Sequence, residues 1–489
     1  MLLSENFLLL ASILVFVAVI VTKIGARFGA PALLLFLLLG MAAGKDGLGV
    51  VFEDYGTAES IGHFAMTVIL FYGGLQTSLK ETRLVMRKGS LLSTLGVFLM
   101  VVITGGFIWL AARPFIGALG SSLLGCLMVA AVMASTDSTS VFSVLHGKRM
   151  HLRENLGPLL ELESGSNDTM AYLLTIILVR LLSGGEEVAA AHPGLTILTI
   201  LGFIAFQIVV GFGVGYAVGQ GAKWLLPRIK LPGTALYSIL IVSIAFFSNG
   251  LASMLQGNGL LSLYVTAIIM GNMPDLPFRK DVLKFFDGMT WLMQLLMFLM
   301  LGLLARPSQM AGIFLPALMI GAFMILVARP ASVFLTLLPF RDLSFKARLL
   351  VSWVGLKGAG PILFAMGPVV AGLEGASDIF NIVFCISLLS LIAQGISLIP
   401  VAKMLNLSYE EDPEVETYGM EIPEEMGLLR DHVVSEEELA NGETLRGLGL
   451  PHGIRVVMVR REGKFLVPHG SMKLFAGDHL LIMMGETDD

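Results

Sequence analysis

The sequence predicts an all-α polytopic membrane protein of about thirteen transmembrane helices, with a small cytoplasmic α+β domain behind them. Three observations carry that prediction. Of 489 residues, 55% are hydrophobic and only 14% charged, where ordinary soluble domains hold about 25% charged residues. Apolar runs long enough to cross a bilayer recur along residues 1–405. The formal charge of −5 divides unevenly, with a balance of +6 over residues 1–406 and −11 over residues 407–489. The acidic end reads as a separate soluble piece, and nothing in this pattern suggests nucleic-acid binding.

Taken in order, residues 7–22 lack both a basic segment before the apolar run and a small-residue cleavage site. They read as a first crossing helix and not a signal peptide. Further spans centre near Leu38, Ile69, Val101, Val132, Leu173, Val209, Val242, Val265, Met297, Phe323, Leu363 and Leu388. Loops after odd-numbered spans, with the stretch after the last, hold nineteen Lys and Arg, whereas the others hold only Lys45, Arg113, Arg180 and Arg306. The positive-inside rule then puts the N-terminus outside and the tail in the cytoplasm. Cys126 and Cys385 lie inside apolar runs and read as core- or lipid-facing.

Two spans look interrupted. The fifth contains MASTDSTSVFS around Asp137, and the twelfth contains VGLKGAGP around Lys357. Backbone freed by such residues is tolerated at membrane depth only where it lines a cavity or finds new partners. Seven spans separate the two, so they run in opposite directions, as in inverted halves with a midplane site. The sixth span, GPLLELESGSNDTMAYLLTIILV, carries Glu161, Glu163, Asn167 and Asp168 in its first half. A carboxylate at that depth costs about 2.5 to 3.5 kcal/mol on insertion scales, and by default marks a functional site. Helical spacing puts Ser164 and Asp168 on one face and Glu163 and Asn167 on the next. With Asp137 as a second acid and Arg329 and Lys357 as intramembrane cations, the pattern reads as an ion site.

Tyr409 to Glu425 is acidic with two prolines and reads as a solvated linker. Beyond it, Ile454–Val459, Phe465–Val467 and Leu480–Met484 read as strands, and Glu443–Leu448 as a short helix. Sixty residues make a thin core, which suggests pairing with a second copy.

The combination Thr136-Asp137, Glu163-Ser164-Gly165-Ser166-Asn167-Asp168, Ala328-Arg329-Pro330 and Gly355-Leu356-Lys357-Gly358-Ala359 resembles the NhaP-type monovalent cation/proton antiporters. Phe286-Asp287-Gly288 resembles the branch that exchanges potassium or sodium for protons in bacterial inner membranes. The resemblance implies an NhaA-like fold, two inverted repeats with interrupted crossing helices. It implies a homodimer in membrane lipid, in which core helices (roughly 89–183 and 309–405) slide against dimerisation helices (roughly 5–78 and 195–305). Residues 1–405 would form this transporter, 406–425 the linker and 426–489 a regulatory domain.

Carried over by residue, Asp168 binds the cation or the proton, and Asp137, Thr136, Ser164 and Asn167 complete the site. Asn167 stands where electrogenic relatives place a second Asp, which implies electroneutral exchange. Glu163 and Arg329 form an internal brace, and Lys357 sits where the family keeps a basic residue in the crossover. Ser138, Thr139 and Ser140 depart from the small apolar residues many relatives carry. The pattern VRREGKFLVPHG…LFAGDHLLIMMG resembles the TrkA-C-like lobe of potassium-conductance regulators, which implies a small, unidentified regulatory ligand, a nucleotide among the possibilities. No GxGxxG follows a strand in the tail. No cofactor or transition metal is expected; the monovalent cation is the substrate.

An unperturbed Asp has a pKa of about 3.9, so exchange at cytoplasmic pH needs surroundings that favour the proton; burial and a second nearby carboxylate act that way in general. Two other functions compete. A gated cation channel would suit the regulator-like tail, but no TVGYG-like filter is present. An intramembrane aspartyl protease would use two acids, but its GxGD signature is missing. Blander roles are also open: structural hydrogen bonding for Asp137 and Asp168, snorkelling for Arg329, packing for His63, and a helix-opening charge for Asp287. Glu161 is assigned no role.

Overall fold

The computed structural model describes residues 2–28, 31–112, 114, 117–137, 141–142, 145, 150–184, 193–410, 429–435, 439, 442–448, 454–461 and 464–484. Ser138, Thr139, Ser140 and most of the expected linker lie outside them. The chain forms two compact units, Met1–Glu410 and Glu411–Asp489.

The first unit is helical almost throughout. It runs α1 (Leu2–Phe28), α2 (Ala32–Ala43), α3 (Tyr55–Gln76), α4 (Leu79–Leu91), α5 (Val97–Phe107), α6 (Leu123–Val132), α7 (Leu156–Gly184), α8 (Pro193–Leu225) and α9 (Thr234–Met254). It continues with α10 (Gly259–Gly271), α11 (Arg279–Leu304), α12 (Pro307–Phe323), α13 (Arg329–Thr336), α14 (Phe345–Trp353), α15 (Ala359–Phe364), α16 (Met366–Val370) and α17 (Ala376–Met404). Among the described residues, six helical stretches are long and apolar enough to cross a membrane, and five shorter apolar helices accompany them. Every predicted span centre falls inside a helix.

Local chemistry explains where the helices start and stop. Asp54, Ser122, Asn258 and Ser344 each accept a backbone N–H of the first turn that follows them, the usual N-cap arrangement. Pro330 cannot donate to the turn before it, and a wider π turn over Met324–Ala328 joins α12 to α13 there. Gly40 and Gly302 let α2 and α11 touch backbone to backbone. A Cβ on Gly302 would lie 2.8 Å from the Gly40 Cα, the close approach that small residues permit between membrane helices.

Two breaks shape the centre of the unit. Helix α6 stops at Val132 and residues 135–137 are non-helical; α14 stops at Trp353 and residues 354–358 are non-helical before α15. Ser and Asp compete for backbone partners outside a helix, and glycine weakens one. The two breaks meet, because the Asp137 N–H donates to the Leu356 carbonyl at 2.9 Å. At another edge of the unit, β1 (Met150–Leu152) pairs antiparallel with β2 (Ser408–Glu410).

The second unit holds a four-stranded antiparallel sheet in the order β3-β6-β4-β5, from β3 (Leu429–Val433), β4 (Ile454–Arg461), β5 (Lys464–Leu466) and β6 (His479–Met484). Val434, Val459, Leu474, Leu480 and Ile482 form its core. Residues Glu443–Leu448 are not helical: Thr444 bridges Lys473 and a turn follows. Gly442 and Gly447 sit against each other there and favour that tight geometry. Arg461 grips Asp478 with two bonds, at 2.8 and 2.6 Å, and lies over the Phe475 ring. Burial opposes ionisation of Asp478, but Arg461 and the Phe475 N–H outweigh it and hold the carboxyl below its ordinary range.

Candidate functional site

Helix α7 brings four polar side chains to the break after α6. The Ser164 hydroxyl donates to the Thr136 carbonyl at 2.6 Å. The Asn167 amide donates to the Thr136 hydroxyl and to Glu163 Oε1, the latter at 3.1 Å. Ser135 donates its hydroxyl to Asp168 Oδ1. Backbone groups that a continuous helix would pair internally thus find partners on α7, as membrane-depth backbone must.

The second break supplies the opposite side. Lys357 donates from Nζ to the Ser135 carbonyl at 2.9 Å, so its ammonium sits at the carbonyl end of α6, where the helix dipole favours positive charge. Ser390 accepts the Lys357 backbone N–H at 2.9 Å and donates to Gln394 at 2.5 Å. Gln394 in turn donates to the Trp353 carbonyl at 2.7 Å. This chain of bonds, from α17, holds the non-helical stretch in shape.

Among the described residues, charge is arranged around Asp168 without a direct cation contact to it. Arg329 donates from Nη1 to Glu163 Oε1 at 2.9 Å, and both are buried. The Arg329 Nε and Nη2 have no hydrogen-bond partner among the described residues. Thr136, Glu163, Ser164, Asn167, Arg329 and Lys357 are all buried, whereas Asp137 and Asp168 are only partly so.

The structure therefore gathers all eight sequence-predicted residues at the meeting of α7 with the two breaks. Sequence reasoning missed Ser135, Ser390 and Gln394. The signals were a hydroxyl two residues before Asp137, and a polar pair four apart in an apolar span. Other singled-out residues lie elsewhere. His63 packs edge-on against Tyr172, with ring centroids 5.1 Å apart. Asp287 does not open a helix, because α11 starts at Arg279, after Pro277; it accepts the Tyr72 hydroxyl at 3.1 Å. Cys126 and Cys385 are both buried.

Gly358 has a steric role at this site. A Cβ there would overlap the Asp137 carboxylate. Gly358→Ala should push that group away and destabilise the protein by about 1–3 kcal/mol, the typical cost of overfilling packed space. Gly202→Ala, where nothing lies within 4 Å among the described residues, should carry no such cost. Melting of the detergent-solubilised variants checks both.

Comparison with known proteins agrees with this architecture. Residues 11–404 match the family model "Sodium/hydrogen exchanger, transmembrane", and residues 429–488 match the TrkA-C domain. The K(+)/H(+) antiporter NhaP2 of Shewanella oneidensis is 37% identical over 98% of this chain and 81% of its own length. The K(+)/H(+) antiporter NhaP of Alkalimonas amylolytica is 34% identical over the same shares. The structure of the sodium proton antiporter MjNhaP1 from Methanocaldococcus jannaschii superposes with a TM-score of 0.68 at 20% identity, covering 81% of this chain and all of that one. With the membrane unit matched nearly end to end and relatives aligned through the tail, this multi-pass membrane protein belongs to the sodium/hydrogen exchanger family.

Proposed function

We propose that this chain exchanges potassium, or sodium, for protons across the bacterial inner membrane, with proton and cation competing for Asp168. The observation that carries the reading is the partial exposure of Asp168 and Asp137 among polar side chains that are otherwise buried. Carboxylate and hydroxyl oxygens are the ligands a hard monovalent cation takes. Competition requires a carboxylate whose only tight occupants are a proton or that cation. Pairing Arg329 with Glu163 keeps the guanidinium off Asp168. Asn167, neutral and bonded to Thr136 and Glu163, leaves no second acid at its position, which supports one proton per cation.

The names of the two bacterial relatives favour potassium. The proposed unit is a homodimer with N-termini outside and tails in the cytoplasm, its core helices (89–183 and 309–405) moving against the dimerisation helices (5–78 and 195–305). Residues 426–489 bind a small regulatory ligand. Purified protein in acid-loaded proteoliposomes tests the exchange, with potassium, sodium, lithium and rubidium added in turn. The pH gradient should collapse with potassium most readily. Cation entry with no proton movement would mean a channel instead.

A further inference from the structure

We propose that Ser135 is a ligand of the transported cation and sets which cation the site prefers; the inference rests on the exchange reading above. Ser135 is 1% exposed, and its hydroxyl donates to the Asp168 carboxylate. Its neighbours hold it there from two sides. Lys357 Nζ grips its carbonyl at 2.9 Å. Gly360 leaves the space its side chain uses: a Cβ at 360 would come within 2.7 Å of the Ser135 Oγ and 3.8 Å of Asp168 Oδ1. The nearby hydroxyls bond to groups other than Asp168. Ser164 donates to the Thr136 carbonyl, and the Thr136 hydroxyl accepts from Asn167.

A serine hydroxyl offers one donor and two lone pairs. Toward a bare carboxylate it donates; toward a carboxylate carrying an ion or a proton, its lone pairs can turn to that occupant. Ser135 therefore serves each loading state of Asp168 without leaving its place. For a hard cation, ligand number and cavity size decide selectivity, so one pre-placed neutral oxygen beside the charged one affects both affinity and preference.

The test uses the full-length protein in proteoliposomes, with initial rates against potassium, sodium, lithium, rubidium and thallium concentrations at fixed pH. In Ser135→Ala the half-saturating potassium concentration should rise about fivefold to tenfold, the worth of one such contact. That rise should exceed the fall in maximal rate, and the order among the ions should change. Ser135→Cys keeps the size of the side chain but replaces a hard oxygen with soft sulfur. It should favour thallium over potassium relative to the parent, and it carries the test alone where the alanine variant does not fold. Equal loss of maximal rate for every cation, with half-saturation and order unchanged, would reduce Ser135 to a structural hydroxyl and overturn the inference. Failure of the exchange reading looks different: the parent protein would then admit cations with no proton movement.

Discussion

Asp168→Asn should reduce cation-driven proton movement to the level of empty vesicles. The substitution keeps the shape of the side chain and its reach to the Ser135 hydroxyl. On the proposed mechanism it removes the charge that attracts a cation and the oxygen that takes up a proton, so neither loaded state forms. Stability should move the other way, if it moves at all. Ionising a carboxylate at membrane depth is costly, and a neutral amide avoids that cost. Melting of the detergent-solubilised protein at neutral pH should therefore be unchanged or higher. Loss of exchange with retained stability is the signature of a working group; loss of both would mark Asp168 as part of the scaffold. Full exchange by the variant would end the assignment.

Glu163→Gln should act in the opposite sense, on folding first. Glu163 Oε1 accepts both Arg329 and Asn167, and among the described residues the Arg329 Nε and Nη2 already lack partners. Removing the carboxylate charge leaves a buried guanidinium uncompensated. Breaking one side of a buried pair in this way costs about 3–5 kcal/mol, enough to lower the melting temperature and the yield of folded protein. Arg329→Gln should cost a similar amount by stranding the acid. The double substitution Glu163→Gln with Arg329→Gln should cost less than the two singles added, because each single loss includes the penalty of the abandoned partner. A Glu163→Gln protein that melts like the parent yet fails to exchange would move the pair from the scaffold into the ion path.

Much of this arrangement was legible in the sequence because membrane depth makes polar residues conspicuous. Asp137 and Lys357 stood out within hydroxyl-rich and glycine-rich interruptions, and the sixth span announced its acids against a background of Leu and Ile. Hydroxyls were harder to read. Thr175 donates back to the Ala171 carbonyl and Thr67 to His63, a local bond any helical Ser or Thr can make. In the sequence only its place two residues before Asp137 separates Ser135 from these, and its bond crosses to another helix. In the tail, β3 was missed because LRDHV carries three charged or titratable residues in five, so its pairing with β6 outweighs its composition. The stretch at Glu443–Leu448 fooled the eye the other way, since its helical length is undone by the glycines at 442 and 447.

The small ladder between β1 and β2 has a mechanical consequence. Strand β1 lies between the segment bearing Asp137 and the helix bearing Asp168, and β2 is the last described stretch before residue 411. Three paired residues, with the Arg153 N–H fastened to the Leu407 carbonyl at 2.8 Å, clasp this connector to the stretch that follows α17. Any excursion of that connector is therefore shared with residues 408–410, which tethers the far end of α17 to the stretch between the two acids.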